Sequence, residues 1–259
     1  MKKIEKGPYI KSTNNSNKII YNILISTIPF IIYRFYLTKI EDIVLLLISM
    51  SFTLLTSIIY EIVLNIKEYK FNFKNHIYSL IMSIIIYLFI PYNTPLILLA
   101  TSNLISTITN KLFKYINPVL VSGLIINLYF IIKDLTPLYL KMNIIILTII
   151  LLISLIYLIV TKSVKFRISI IFIIISVLSS FITKSSISNI YIIFILGIYI
   201  IPELYSSPKS AYAGYIYSII CAIMYILLPI QYFIMFLIIT NIFNRYLDLP
   251  IAYYLALKN

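Results

Sequence analysis

One cysteine, one histidine, four glycines and no tryptophan occur in the 259 residues. With Cys221 and His76 as the only residues of their kinds, the chain alone forms no intrachain disulfide and holds no zinc cluster, iron–sulfur cluster or bis-histidine haem. Acidic residues are also scarce, eight against 21 lysines and arginines. No series of carboxylates runs through the apolar stretches, so a self-contained ion pump is not expected. The lack of tryptophan, beside abundant Ile, Asn, Lys and Tyr, reflects AT-rich codons rather than function. No cleavable signal peptide is expected. The first 18 residues are polar, and no small-residue cleavage site follows the first apolar run.

What is present is apolar. Hydrophobic residues make up 61% of the chain and the mean hydropathy is +1.02. A soluble domain of this size cannot hide so much apolar surface. Runs such as "MNIIILTIILLISLIYLIV" (142–160) approach the roughly 20 residues that cross a bilayer. Ten spans are expected, at about 19–37, 43–65, 77–90, 95–109, 118–132, 142–160, 167–183, 188–201, 213–228 and 231–247. The net charge of +13 does not point to nucleic acid, because the basic residues are dispersed singly among the apolar runs.

Those basic residues report topology instead. The N-terminal arm, the even-numbered connections and the C-terminal end carry sixteen of them: Lys2, Lys3, Lys6, Lys11, Lys18, Lys67, Lys70, Lys74, Lys111, Lys114, Lys162, Lys165, Arg167, Lys209, Arg245 and Lys258. The odd-numbered connections carry four, Lys39, Lys133, Lys141 and Lys184, and Arg34 lies within the first span. Both termini are therefore expected in the cytoplasm of a multi-pass plasma-membrane protein, with the polar break "IIKDLTPLYLKM" (131–142) facing outward.

Ten spans divide into a cytoplasmic arm (1–18), a first five-helix half (19–133), an outward loop (134–141) and a second five-helix half (142–259). An odd number of spans per half inverts the second half relative to the first. At corresponding positions stand "YLFIPYNTPLI" (87–97) and "YIIPELYSSPKSA" (199–211), each with Ile-Pro, a few polar residues and another Pro. The spans before them have only about 14 residues, roughly 21 Å of helix against about 30 Å of hydrocarbon. Such short helices are expected to meet and to line one cavity, with Pro91, Pro95, Pro202 and Pro208 at their ends. Ordinary loop prolines are the alternative. Arg34 and Glu61 are the ionisable residues inside spans, read as paired structural groups or as functional charges. His76 reads as a residue at a cytoplasmic helix start.

Four stretches, in order along the chain, resemble one family. "GPYIKSTNNSNKIIYNILISTIPFII" (7–32) is similar to the opening of the D subunit of Rnf electron-transport complexes, a relative of the B subunit of the sodium-translocating NADH:quinone oxidoreductase. Pro8, Tyr9 and Pro29 fit, with Gly7 in place of a serine. "NKLFKYINPVLVSGLI" (110–125) resembles the family's "K-x-x-x-G-G-x-G-x-N-x-F-N-P-A" with most of the glycine loop deleted; Lys111, Asn117 and Pro118 match. "DLTPL" (134–138) resembles "GATPL", whose threonine is esterified to FMN phosphate in the family. "ELYSSPKSAYAGYIYS" (203–218) follows "D-P-V-T-S-P-x-T-x-x-G-x-x-I-Y-G", with Ser207, Pro208 and Tyr217 matching and Glu203 and Ser206 as close substitutes.

The resemblance implies an all-α membrane fold of about ten helices in two inverted five-helix halves, related to urea- and ammonia-channel architectures. It also implies a subunit of a redox-driven ion-translocating oxidoreductase, a translocase without a self-contained active site. FMN bound covalently to Thr136 is the implied cofactor, with riboflavin as a second flavin. Lys111, Asn117, Pro118, Ser206, Ser207 and Pro208 are the implied lining residues. The other membrane and iron–sulfur subunits and an FMN transferase are the implied partners, within a lipid bilayer. The residues alone leave alternatives open. Thr136 also reads as a loop residue in a Thr-Pro turn, Ser206 to Pro208 as turn chemistry, and Asn117-Pro118 as a helix cap. A cofactor-free solute channel or transporter, or a flavin anchor for extracellular electron export, fits the same architecture.

The charge distribution generates a direct test. A cysteine introduced at position 136 is expected to react with an impermeant maleimide added outside intact cells. Labelling only after the cytoplasmic face is opened reverses the assigned orientation.

Overall fold

The computed structural model describes residues 16–38, 40–64, 76–113, 115–135, 137, 144–182, 188–203 and 205–258. Among the described residues there are ten α-helices and no strand: α1 (Ser16–Thr38), α2 (Ile40–Leu64), α3 (Ile77–Phe89), α4 (Leu96–Leu112), α5 (Pro118–Ile132), α6 (Ile144–Val160), α7 (Phe166–Ile182), α8 (Ser188–Ile195), α9 (Ala211–Leu227) and α10 (Ile230–Lys258). They fall on the ten expected spans. Two differences stand out. The eighth span is α8 followed by a π segment, Leu196–Ile200, and the tenth helix runs on well past position 247.

Isoleucine and valine are mediocre helix formers, so propensity does not explain these helices. Local signals set many of their ends. Asn117 caps α5 by accepting the Val119 N–H at 2.9 Å, and Pro118 occupies the first turn. Ser210 caps α9 through the Ala213 N–H. α5 ends in a Schellman turn: Leu135 N–H donates to the Phe130 carbonyl, Asp134 N–H to that of Ile131, and Asp134 is left-handed at φ 51°. α6 closes the same way around Lys162, also at φ 51°.

The surface is as apolar as the interior. Ile32, Leu47, Leu55, Ile59, Ile153, Ile156, Leu178 and Ile239 are all more than half exposed. Buried polar residues stitch the helices from within. Asn103 of α4 donates to Ser49 of α2, Ser49 to the Ser83 carbonyl of α3, and Ser122 of α5 to Ser102 of α4. Water cannot tolerate so continuous an apolar exterior, whereas a bilayer requires one. Small polar residues at the interfaces are how helices associate there. Two helical stretches, Lys18–Thr38 and Asp42–Leu64, are individually long and apolar enough to cross a membrane, and seven further apolar helices are shorter.

The packing repeats. α2 rests on α3 and α4 just as α7 rests on α8 and α9, and the cross-contacts α1–α6, α3–α8 and α5–α10 join elements at equal places in each set of five. Two glycines permit close crossings. A Cβ on Gly197 of the π segment would sit 2.5 Å from Ile173 of α7, and one on Gly123 of α5 would sit 2.8 Å from Phe89 at the end of α3. The short elements α3 and Tyr191–Ile200 are buried on almost every side.

A short helix that stops inside protein leaves its last carbonyls without intrahelical donors. At the end of α3, the Ile90 N–H serves Ile86, the Arg34 guanidinium donates to the Tyr87 carbonyl, and the Tyr191 hydroxyl donates to Leu88 at 2.6 Å. Arg34 is held for this by Asp42 of α2, at 2.8 Å from Nε and 3.4 Å from Nη2, and lies 4.1 Å from the Tyr87 ring centroid. Its positive charge also suits the negative end of the α3 dipole. Both Arg34 and Asp42 are buried, so the paired structural reading of Arg34 is the one realised. Removing one partner strands the other charge. Arg34→Met is expected to cost about 3–5 kcal/mol, seen as a lower melting temperature in detergent. Arg34→Met/Asp42→Leu is expected to recover most of that loss. Equal melting of the single variant and the wild type contradicts the assigned role.

A polar site where the two short helices converge

The π segment widens the end of the eighth span. Ile201 N–H reaches back five residues to the Leu196 carbonyl at 2.8 Å, and Tyr199 turns toward α1. The Tyr199 hydroxyl donates to the Ser26 carbonyl at 3.0 Å, which also accepts from Ser154 of α6. One carbonyl of α1 thereby ties the two sets of five helices together. Such single π turns often mark functional positions. Here the turn opens a crevice lined by Ile20 and Ile23 of α1, Tyr78 and Met82 of α3, Ile198 and Tyr199, and closed by Glu203. α3 and the eighth span thus meet and share one cavity, with Pro202 on its wall. At about 20 Å³ it has room for little more than one water.

Beyond the π segment the chain folds into a buried polar turn. Glu203 accepts from the Tyr78 hydroxyl at 3.0 Å and from the Ser206 N–H at 2.8 Å. The Glu203 carbonyl accepts from the Ser207 hydroxyl at 2.6 Å. Lys165, just before α7, donates to the Ser207 hydroxyl at 2.6 Å and to the Ser207 and Pro208 carbonyls, both at 3.1 Å. Asn244 of α10 donates to the Ser206 carbonyl. The turn reading of Ser206, Ser207 and Pro208 is therefore realised, and the Ser207 hydroxyl is fully engaged. Burial pushes the Lys165 ammonium down to about 8, against the pull of Glu203 and Asp248.

The neighbouring implied residues gather at the same end of the bundle. Asn117, besides capping α5, donates to the Ile200 carbonyl at 3.2 Å and so satisfies the end of the π segment as Arg34 satisfies α3. Lys111 pairs with Glu61 at 3.0 Å, and the other Glu61 oxygen lies 3.4 Å from His76 Nε2. His76 Nδ1 is 2.9 Å from the Ser57 hydroxyl, and burial lowers the ring's pKa while Glu61 opposes the shift. Glu61 is thus a paired group here. His76 sits at the start of α3, as expected, in the middle of this network.

Thr136 lies outside the described residues. The chain that leads to it, through Asp134 and Leu135, leaves the opposite end of α5 from Asn117, so the 15-residue helix separates the two by ~22 Å. The implied residues therefore form one cluster at one end of the bundle, with the residue leading to Thr136 at the other. On the approach to Thr136, Ile132 is 78% and Leu135 50% exposed, and Lys133 is exposed between them. Tyr78, Lys165, Tyr191 and Tyr199 emerge only from the structure. Among 24 tyrosines and 21 basic residues, no sequence signal singles them out.

An all-helical bundle with an apolar exterior, polar interior seams and two short buried helices has the architecture of a membrane protein. A family model described as the NQR2, RnfD, RnfE family matches residues 3–130, and over that stretch the chain is similar to the family. The match takes in the stretches at 7–32 and 110–125 and stops before those at 134–138 and 203–218. That family is a class of ion-translocating electron-transport complexes. No curated protein matches the chain.

The half-buried Lys165 generates a test of the turn. Its amine titrates near 10.4 when unfolded and near 8 in the turn, so between those values the unfolded chain holds the extra proton. Raising the pH through this window therefore favours the folded state. Melting curves of wild type and Lys165→Gln from pH 8 to 10 are expected to diverge, with the wild type gaining relative to the variant. A constant difference excludes the shifted amine.

Proposed function

We propose that the chain is the flavin-carrying membrane subunit of an Rnf-like, redox-driven ion-translocating oxidoreductase. In this reading ten spans form two inverted five-helix halves in the plasma membrane, with both termini cytoplasmic and residues 134–141 outside. Thr136 takes FMN through its phosphate from a separate transferase, because a threonine hydroxyl is a weak nucleophile and needs one. The attached flavin supplies a carrier of electrons between centres held by partner subunits. Covalent attachment keeps it at permanently high effective concentration on a face from which it would otherwise diffuse.

The observation that carries the reading is the backbone before Thr136. The related motif has glycine where this chain has Asp134, and Asp134 adopts φ 51°, the left-handed geometry that glycine takes without strain. A glycine at this position would take the same turn without strain, so the altered "DL" is compatible with a glycine-type approach to the threonine. Aspartate is among the residues that tolerate this conformation. Lys133 stands beside the turn and offsets the charge of Asp134 toward an incoming phosphate. Exposed Ile132 and Leu135 offer apolar surface to one face of a ring.

Coexpression with an FMN transferase, followed by mass spectrometry and in-gel fluorescence of the denatured chain, tests the proposal. An FMN-sized mass on wild type, absent from Thr136→Ala, is the expected result. Asp134→Gly is expected to accept FMN at least as well and to be about 1 kcal/mol more stable, since it removes the left-handed strain. An unmodified wild type leaves a cofactor-free channel or transporter on this architecture as the better reading.

A further inference from the structure

Beside the polar turn, between the N-terminal ends of α7 and α9, lies an open pocket of about 190 Å³ that none of the above uses. Lys165, Arg167 and Lys209 line it, together with Ser210, Ile168 and Gly214. Gly214 matters to its shape, because a Cβ there would meet Ile168 at 3.2 Å and the two helices could not approach so closely. Arg167 reaches across from α7 to α9, its guanidinium carbon 5.8 Å from the Tyr215 ring centroid. Among the described residues neither Arg167 nor Lys209 forms a salt bridge.

Two carboxylates are near: Asp248 at the pocket's rim and Glu203 in the polar turn. Asp248 accepts the backbone N–H groups of Lys209 and Ser210 at 2.9 and 3.0 Å. Glu203 holds Tyr78 and the Ser206 N–H. Three cations against two carboxylates leave the pocket positive, and the N-terminal ends of two 17-residue helices add to that potential. From its mouth an exposed stripe, Tyr212, Ile216, Ile219 and Ile223, runs down one face of α9. The pocket is cationic at the level where helices begin, and the stripe below it is apolar.

We infer that this pocket binds the phosphate of an anionic phospholipid, whose acyl chains lie along the α9 stripe. A free phosphate satisfies the cations equally well but has no use for the stripe, which favours the lipid. The inference rests on the membrane location and is independent of flavin attachment at Thr136. The site lies in the leaflet that the basic residues assign to the cytoplasm, where anionic lipids concentrate.

Native mass spectrometry of the full chain, released from mixed micelles of phosphatidylglycerol and phosphatidylcholine, reads the site. Wild type is expected to retain phosphatidylglycerol in preference to phosphatidylcholine, and Arg167→Gln/Lys209→Gln to lose about thirtyfold in that preference. Both side chains are exposed and, among the described residues, form no ion pair, so folding is spared; matched melting curves verify this. Lys133→Gln, which removes a charge at the other end of the bundle, is expected to leave the preference intact. Equal retention of the two lipids, or an unchanged double variant, overturns the site. In a parallel arm, millimolar inorganic phosphate is added. If phosphate alone protects the fold of wild type but not of the double variant, with no lipid preference, the lipid is overturned as the source.

Discussion

Carbonyl oxygens that end inside the protein govern this architecture. α3 and the π segment both stop short, and each leaves peptide oxygens that neither water nor the helix itself can satisfy. The chain answers with donors from other helices: Arg34 and Tyr191 for α3, Asn117 for the π segment. Arg34 in turn needs Asp42, which brings α2 to α1, and Tyr191 brings the second set of five helices to the first. The order in which helices pack follows from which one must supply a donor.

The same constraint concentrates polarity. A bundle in lipid has little hydrophobic gain from burying one leucine against another, so seams of Ser, Asn and Tyr distinguish correct neighbours from incorrect ones. At the ends of the short helices those seams become dense enough to hold charge. Glu61, His76 and Lys111 meet there, and so do Glu203, Lys165 and Tyr78. The polar turn at 202–210 is the structural hub of this end, with α3, α7 and α10 all bonded to it.

Much of this was legible in the residues. Apolar run lengths located all ten helices, because a span of isoleucine and leucine in lipid has no alternative to helix. Ile-Pro pairs marked the two short spans, since proline removes the donor that the next turn would need. Asn117-Pro118 announced a cap and formed one. The pairing of Glu61 with Lys111 and His76, by contrast, depends on three helices meeting. Lys165 illustrates the limit best. As a sequence position it was one basic residue among sixteen that marked topology, yet in the fold its ammonium organises the whole Ser207–Pro208 turn.

Composition and periodic apolar runs, by themselves, determined an all-helical membrane chain, its ten elements and its poverty in cysteine and histidine. These are local properties, fixed by what each stretch can bury and by which side chains exist at all. Tertiary structure alone decided which helix supplies the donor for which stranded carbonyl. It also converted Gly197 and Gly123 into close crossings. The choice of donor depends on atoms more than 50 residues apart coming within hydrogen-bonding distance, as Arg34 does with Tyr87 and Asn117 with Ile200. No local pattern encodes such a meeting.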